Sequence, residues 1–381
     1  MNLKSEFSVF LESHPDRLHF AAHSHHPWPD VSYQAHQRAW LDAADMVDDK
    51  WSHIYGTVIP RTQARIASTL RLARDGTLVF APNTHEFVVR LFSCFEPPVR
   101  VLSTDAEFHS FTRQSRRWEE EGLVIVDRVP AEPFDTFAER FTAYARSAAH
   151  DVIFLSQVFF DSGFVVPEID RIVSSVSEER VFIVIDGYHA FMALPVDLST
   201  VQDRVFFIAG GYKYAMSGEG VCFMHCPPGY GERPVNTGWY ASFENLEKGI
   251  DSKVPFASDA SRFAGATFDP SGIYRLDAVL TWLGSRGIDP MLIHTHAKEL
   301  QDLFLDSSRT WPGRLMPERN TDRGNFLTFQ SDTAESFYRT LHARNVTTDY
   351  RGDRLRIGFG IYHDEDDVAR LVEIIDTLDP S

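Results

Sequence analysis

Two side chains in the middle of the chain have the types and the setting for covalent chemistry on an amine. Asp186 closes the apolar run VFIVI (181–185). Lys213 stands just past a second run, VFFIAGG (205–211), and a Gly-containing turn separates it from a third, VCFMH (221–225). Short runs rich in β-branched and aromatic residues read as buried strands, so the acid and the lysine each lie at a strand end. A buried carboxylate is costly unless it meets a positive partner. A lysine beside a Gly-rich turn is a candidate Schiff-base amine. Pyridoxal phosphate (PLP) asks for both: an amine for its aldehyde, and an acid that keeps its ring nitrogen protonated so that the ring accepts electrons. The same spacing also suits an ordinary strand-end acid and an exposed lysine, and on spacing alone both readings stay open.

The segments Asp186-Gly-Tyr-His189 and Tyr212-Lys213-Tyr214 resemble the D-x-x-H … Y-K-Y core of kynureninases, within the class V aminotransferase group, and the likeness runs from about Leu18 to about Asp376. It implies a PLP enzyme of fold type I in which Lys213 carries the cofactor, Asp186 serves its ring nitrogen, and His189 and Tyr212 lie beside it. It further implies a phosphate-binding turn at Asn83, Thr84 and His85, a ring stacked on Phe108 (with His109 as the fallback), and a close approach by Ser156. Trp239 and Thr267, with Asp269, reach a cofactor phosphate from the neighbouring subunit, which implies a homodimer with a shared site. Arg356, in the R-I-x-x-x-x-Y segment, holds the substrate α-carboxylate through its planar fork.

The implied reaction is kynureninase-like hydrolysis of a Cβ–Cγ bond in kynurenine or another γ-keto or β-substituted amino acid. Transamination is the first alternative. Cysteine desulfuration needs a cysteine on a loop before Arg356, and residues 321–356 contain none. The chain departs from the kynureninase pattern where it has His25 and His26 in place of small residues, Phe111 for an Asp and Asp269 for an Asn. Gly211 replaces the hydroxyl residue usual in class V aminotransferases, which favours the kynureninase form of the motif.

His23, His25 and His26 invite a metal, but no carboxylate or thiol accompanies them at ligand spacing, and a substrate-facing loop that includes His25 and His26 is the expectation. Cys222 and Cys226 lack a second ligand pair and read as packing residues. No metal is expected.

These residues must be carried by alternating strands and helices, which give an α/β fold: a large domain with a mostly parallel sheet of the seven-stranded type flanked by helices, and a small C-terminal α+β domain. The expected divisions are an N-terminal segment and entrance loop (1–30), the large domain (31–275) and the small domain (276–381). Helix is expected from Val31 to about Arg74, broken at WSHIYGTVIP (51–60), and Thr84 is expected to cap the helix after TLVFA.

The 381 residues are ample for one large core and a smaller one. A net charge of −17 argues against nucleic acid and anionic membrane as partners. Three cysteines without a disulfide pattern, a charged N-terminus and no long apolar run lead to the expectation of a cytoplasmic protein.

Overall fold

The computed structural model describes residues 3–147, 149–248 and 253–378. Strand β1 (Leu18–His19) is followed by seven strands that share one sheet: β2 (Leu78–Ala81), β3 (Val99–Thr104), β4 (Val124–Val129), β5 (Val152–Ser156), β6 (Phe182–Asp186), β7 (Val205–Gly210) and β8 (Cys222–His225). Their order is β2-β8-β7-β6-β5-β3-β4, and only β8 runs against its neighbours. The expected fold class is therefore what the structure has.

Alternation along these strands divides the apolar residues between two cores. Leu102, Ile153, Leu155, Ile183, Ile185 and Phe207 face one side. Val101, Phe154, Val184, Phe206, Ile208 and Met224 face the other. A sheet covered on both faces needs near-continuous apolar runs, which is why VFIVI and VFFIAG carry no polar residue before their ends.

The parallel strands all finish at one edge, and the chain leaves that edge through the residues singled out from the sequence. Beyond β2 lies Asn83, beyond β3 Phe108, at the end of β5 Ser156, at the end of β6 Asp186 and beyond β7 Lys213. Open α/β sheets bind ligands at this edge, outside the carboxyl ends of their strands.

The small domain holds β9 (Arg314–Met316), β10 (Phe326–Gln330), β12 (Asp349–Arg351) and β13 (Arg354–Gly358) in an antiparallel sheet ordered β12-β13-β10-β9. Strand β11 (Val346–Thr347) pairs in parallel with β1, which ties the N-terminal segment to this domain. Helices Pro290–Ser307 and Glu365–Asp376 cover a third core that includes Leu300, Phe304, Leu327, Leu371 and Ile375.

Two local expectations are corrected. The break in the helical stretch comes at Val47, whose φ of 49° ends Asp30–Met46. Residues 51–60 stay helical, with a π turn at Ile54–Val58 just ahead of Pro60, whose missing N–H and bulky ring widen the ladder there. The cap of the Thr84–Phe92 helix is Asn83, whose Oδ1 accepts from Glu86 N at 3.0 Å. Thr84 is the first helical residue.

Candidate active site

A cavity of about 1130 Å³ opens at the carboxyl edge of the large sheet. Asn83, Thr84, His85, Phe108, Ser156, Asp186, His189, Tyr212 and Lys213 all line it. The turn after β6 sends Tyr188 and His189 inward. Gly187 makes that turn, because a Cβ there would lie 1.9 Å from the ring of Phe207, which is itself locked in the core. Asp186 Oδ1 accepts from Tyr188 N at 2.9 Å, leaving the rest of the half-buried carboxylate facing the cavity.

Lys213 rides on a loop closed by Gly211 N donating to Val221 O and Ser217 N donating to Gly211 O. A side chain at Gly211 would strike Ser217 and Val221, so the hydroxyl usual in the aminotransferases has no room in this loop. Lys213 is 4 % exposed, and its Nζ lies 2.5 Å from His189 Nε2. The rings of Tyr188, Phe108 and Tyr212 surround it at 4.9, 5.3 and 5.6 Å.

Burial dominates the electrostatics here. It lowers Lys213 from 10.5 to about 7, with Asp186 opposing the shift and Arg356 adding to it. Burial also pushes Asp186 above the usual carboxylate range and holds His189 well below the ordinary histidine value, so that imidazole is neutral. With Nε2 accepting from the amine, the ring proton sits on Nδ1, which has no partner among the described residues.

The donor set fits PLP part by part. The Thr84–Phe92 helix begins at the cavity, with Asn83, Thr84 and His85 in the lining, and a helix N-terminus suits a phosphate. Phe108 gives a flat wall, steadied edge-on by Phe160 at 5.4 Å. Asp186 offers a carboxylate to a ring nitrogen, and Lys213 an amine to an aldehyde.

The other expected residues lie elsewhere. Trp239 Nε1 donates to Thr267 Oγ1 at 3.1 Å, outside the lining of this cavity. Asp269 accepts from Ser271 N and Oγ, both at 2.8 Å, at the start of the Ser271–Ser285 helix, so the acid is occupied with the helix entry and not with an anion. Phe111 stacks on Phe154 in the core at 3.8 Å.

Arg356 is buried behind the cavity wall. It pairs with Asp349 at 2.5 Å and donates to the carbonyl of Phe160, while its Nε has no partner among the described residues. His25 and His26 line a second cavity of about 740 Å³. His25 touches the first site only by stacking on Tyr212 at 5.5 Å. His26 is a core side chain packed among Phe7, Tyr214 and Tyr362, with Nδ1 against Pro27 O at 2.7 Å.

Tyr188 and Phe160 line the site without having been expected there, Cys222 lines it although read as a packing residue, and Glu107 stands behind Ser156. An acid immediately before the expected stacking aromatic was the one available signal for Glu107. Cys222 bonds to Tyr188 at 3.4 Å, and burial raises its thiol to about 12. No group of metal-ligating side chains forms among the described residues.

Solved structures share this fold. A complex of the cystine C–S lyase C-DES with cysteine persulfide superposes with a TM-score of 0.79 at 16 % identity, over 97 % of this chain and 100 % of that one. The apo cysteine desulfurase of Thermococcus onnurineus gives 0.77 at 13 % identity, over 99 % and 98 %. The fold is that of the PLP enzymes of fold type I, and the donor set fits the cofactor they carry. Within that class, residues 293–375 match the family described as Kynureninase C-terminal domain. Isopenicillin N epimerase of Streptomyces clavuligerus is 27 % identical over 342 residues, 81 % of this chain and 80 % of the relative. These findings bear out the resemblance at the level of class V PLP-dependent enzymes, with the likeness to kynureninases carried by residues 293–375.

Proposed function

We propose that the chain is a PLP-dependent lyase that hydrolyses the Cβ–Cγ bond of kynurenine or a related γ-keto amino acid. In that overall reaction, water and the substrate give alanine and the carboxylic acid derived from the γ-carbonyl. The observation that carries the reading is the convergence of Lys213, His189 and Asp186 on one cavity, with Lys213 Nζ 2.5 Å from His189 Nε2.

PLP, when bound, supplies a protonated ring that accepts the electron pair left at the substrate Cα. Asp186 favours the protonated ring by its charge. Lys213, partly neutral near pH 7, is able to attack a carbonyl and, once released, to take and return a proton at Nζ. His189 fixes where that amine points. Phe108 excludes water from one face. Arg356 is proposed for the α-carboxylate on the resemblance alone; for that its guanidinium, now held by Asp349 and the carbonyl of Phe160 behind the cavity wall, has to turn toward the cavity. We also propose a homodimer in which Trp239 and Thr267 serve the partner's cavity, and a cytoplasmic location consistent with three free cysteines.

Transamination uses the same lysine and acid and is the alternative within the class. Desulfuration is disfavoured, because the cysteine in this cavity, Cys222, has its thiol held near 12 and bonded to Tyr188. Incubating the PLP-loaded protein with L-kynurenine and analysing the products tests the assignment. Alanine with anthranilate in equal amounts supports it. A 2-oxo acid formed only with an amino acceptor, or exchange of the Cα hydrogen without cleavage, replaces it with transamination or epimerisation.

A further inference from the structure

Glu107 is 3 % exposed, sits directly before Phe108, and has no part in the chemistry outlined above. Its Oε1 accepts from Thr104 Oγ1 at 2.8 Å and from Ser156 N at 3.2 Å. Its Oε2 lies 2.5 Å from Ser156 Oγ. All of these partners are neutral, and the charged group nearest in the sheet is another acid: Ser156 pairs in register with Asp186. An enclosed carboxyl that meets only hydroxyls and an amide, beside a second carboxyl, is far cheaper to keep neutral than ionised. Oε1 already takes two donors, so the acid proton belongs on Oε2, facing Ser156 Oγ.

We propose that Glu107 is a neutral carboxylic acid that donates from Oε2 to Ser156 Oγ, and so is the positioning residue that turns the Ser156 hydroxyl hydrogen into the cavity as a donor to an anionic oxygen of the bound cofactor or substrate. The inference rests on the PLP reading for the identity of that acceptor, but not for the protonation of Glu107. Ser156 lines the cavity while Glu107 does not, so the acid acts through the serine. An ionised Glu107 would consume the serine hydrogen and present a lone pair to the cavity, reversing the polarity of that wall. Burial raises Glu107 to about 8, with Asp186 adding to the shift, in keeping with a neutral acid at pH 7.

Infrared difference spectra of the wild type against E107Q, taken on the apoprotein near pH 6.5–7, test the protonation directly. A protonated-carboxyl C=O band that E107Q removes is the expected result, and its absence overturns the proposal. The positioning role is read from PLP affinity. Gln keeps a donor toward Ser156 Oγ, so E107Q stays close to wild type, whereas E107L and S156A each weaken PLP on the order of tenfold, the scale of one lost hydrogen bond. The double variant E107L/S156A falls no further than S156A. An E107Q that loses as much as S156A, or an S156A that loses nothing, overturns the role, and S156A keeps the test alive if E107L misfolds. A wild type that binds no PLP refutes the cofactor reading instead, and the apoprotein spectrum still decides the state of Glu107.

Discussion

At the scale of single residues the central quantity is the basicity of Lys213. An amine attacks an aldehyde only when neutral, and burial brings Lys213 from 10.5 to about 7. The rate at which apoprotein takes up PLP should therefore rise with pH and level off above about 7, as followed by stopped-flow absorbance. Asp186 raises the lysine, so Asp186→Asn should move that midpoint to lower pH while weakening the bound cofactor. Lys213→Ala should lower turnover by at least about 10²–10⁴-fold, the usual range for a lost acid–base group. Asp186 and Lys213 were legible because each follows an apolar run whose end is marked by a change of residue type, whereas His189 came only from the resemblance of the Asp186–His189 segment. Glu107 and Tyr188 were not, since their importance comes from what the neighbouring strands bring to them.

Elements position these groups through glycines and a cap. Gly187→Ala forces a Cβ into the ring of Phe207, so it should cost about 1–3 kcal/mol by thermal or denaturant unfolding and displace His189 from Lys213. Asn83→Ala should cost about 1 kcal/mol of helix stability and weaken PLP, because the same turn caps the helix and faces the cavity. Strand positions could be read because two-sided burial demands unbroken apolar runs. The cap was read one residue late, at Thr84, because Asn and Thr are both good caps and only backbone geometry separates them. The helix break was placed at residues 51–60 on composition, while the actual break is a single positive-φ residue, Val47, whose type gives no warning.

Over the whole molecule, tertiary pairing decides what sequence patterns left open. The entrance loop was read as one unit, yet its histidines separate: His25 reaches Tyr212, while His26 turns into the aromatic core. Arg356 was legible as an arginine on a strand, but its cross-strand partner Asp349 was not, since pairing between β12 and β13 sets it. Exposed aromatic surface at Trp239 and Phe243, next to Tyr55, suits the proposed dimer. Sedimentation should give twice the monomer mass, and Trp239→Asp should shift it toward monomer with weaker PLP binding; a monomeric wild type that holds PLP fully would remove the shared-site proposal.

The measurement that bears most directly on the central claim is the visible absorbance of the purified, PLP-incubated protein beside Lys213→Ala, before and after L-kynurenine. A Schiff-base band in the wild type that is lost or moved in the variant, and that changes on adding kynurenine as alanine and anthranilate form, is the predicted result. A protein with no such band after incubation with PLP, or with the same band in Lys213→Ala, would contradict it.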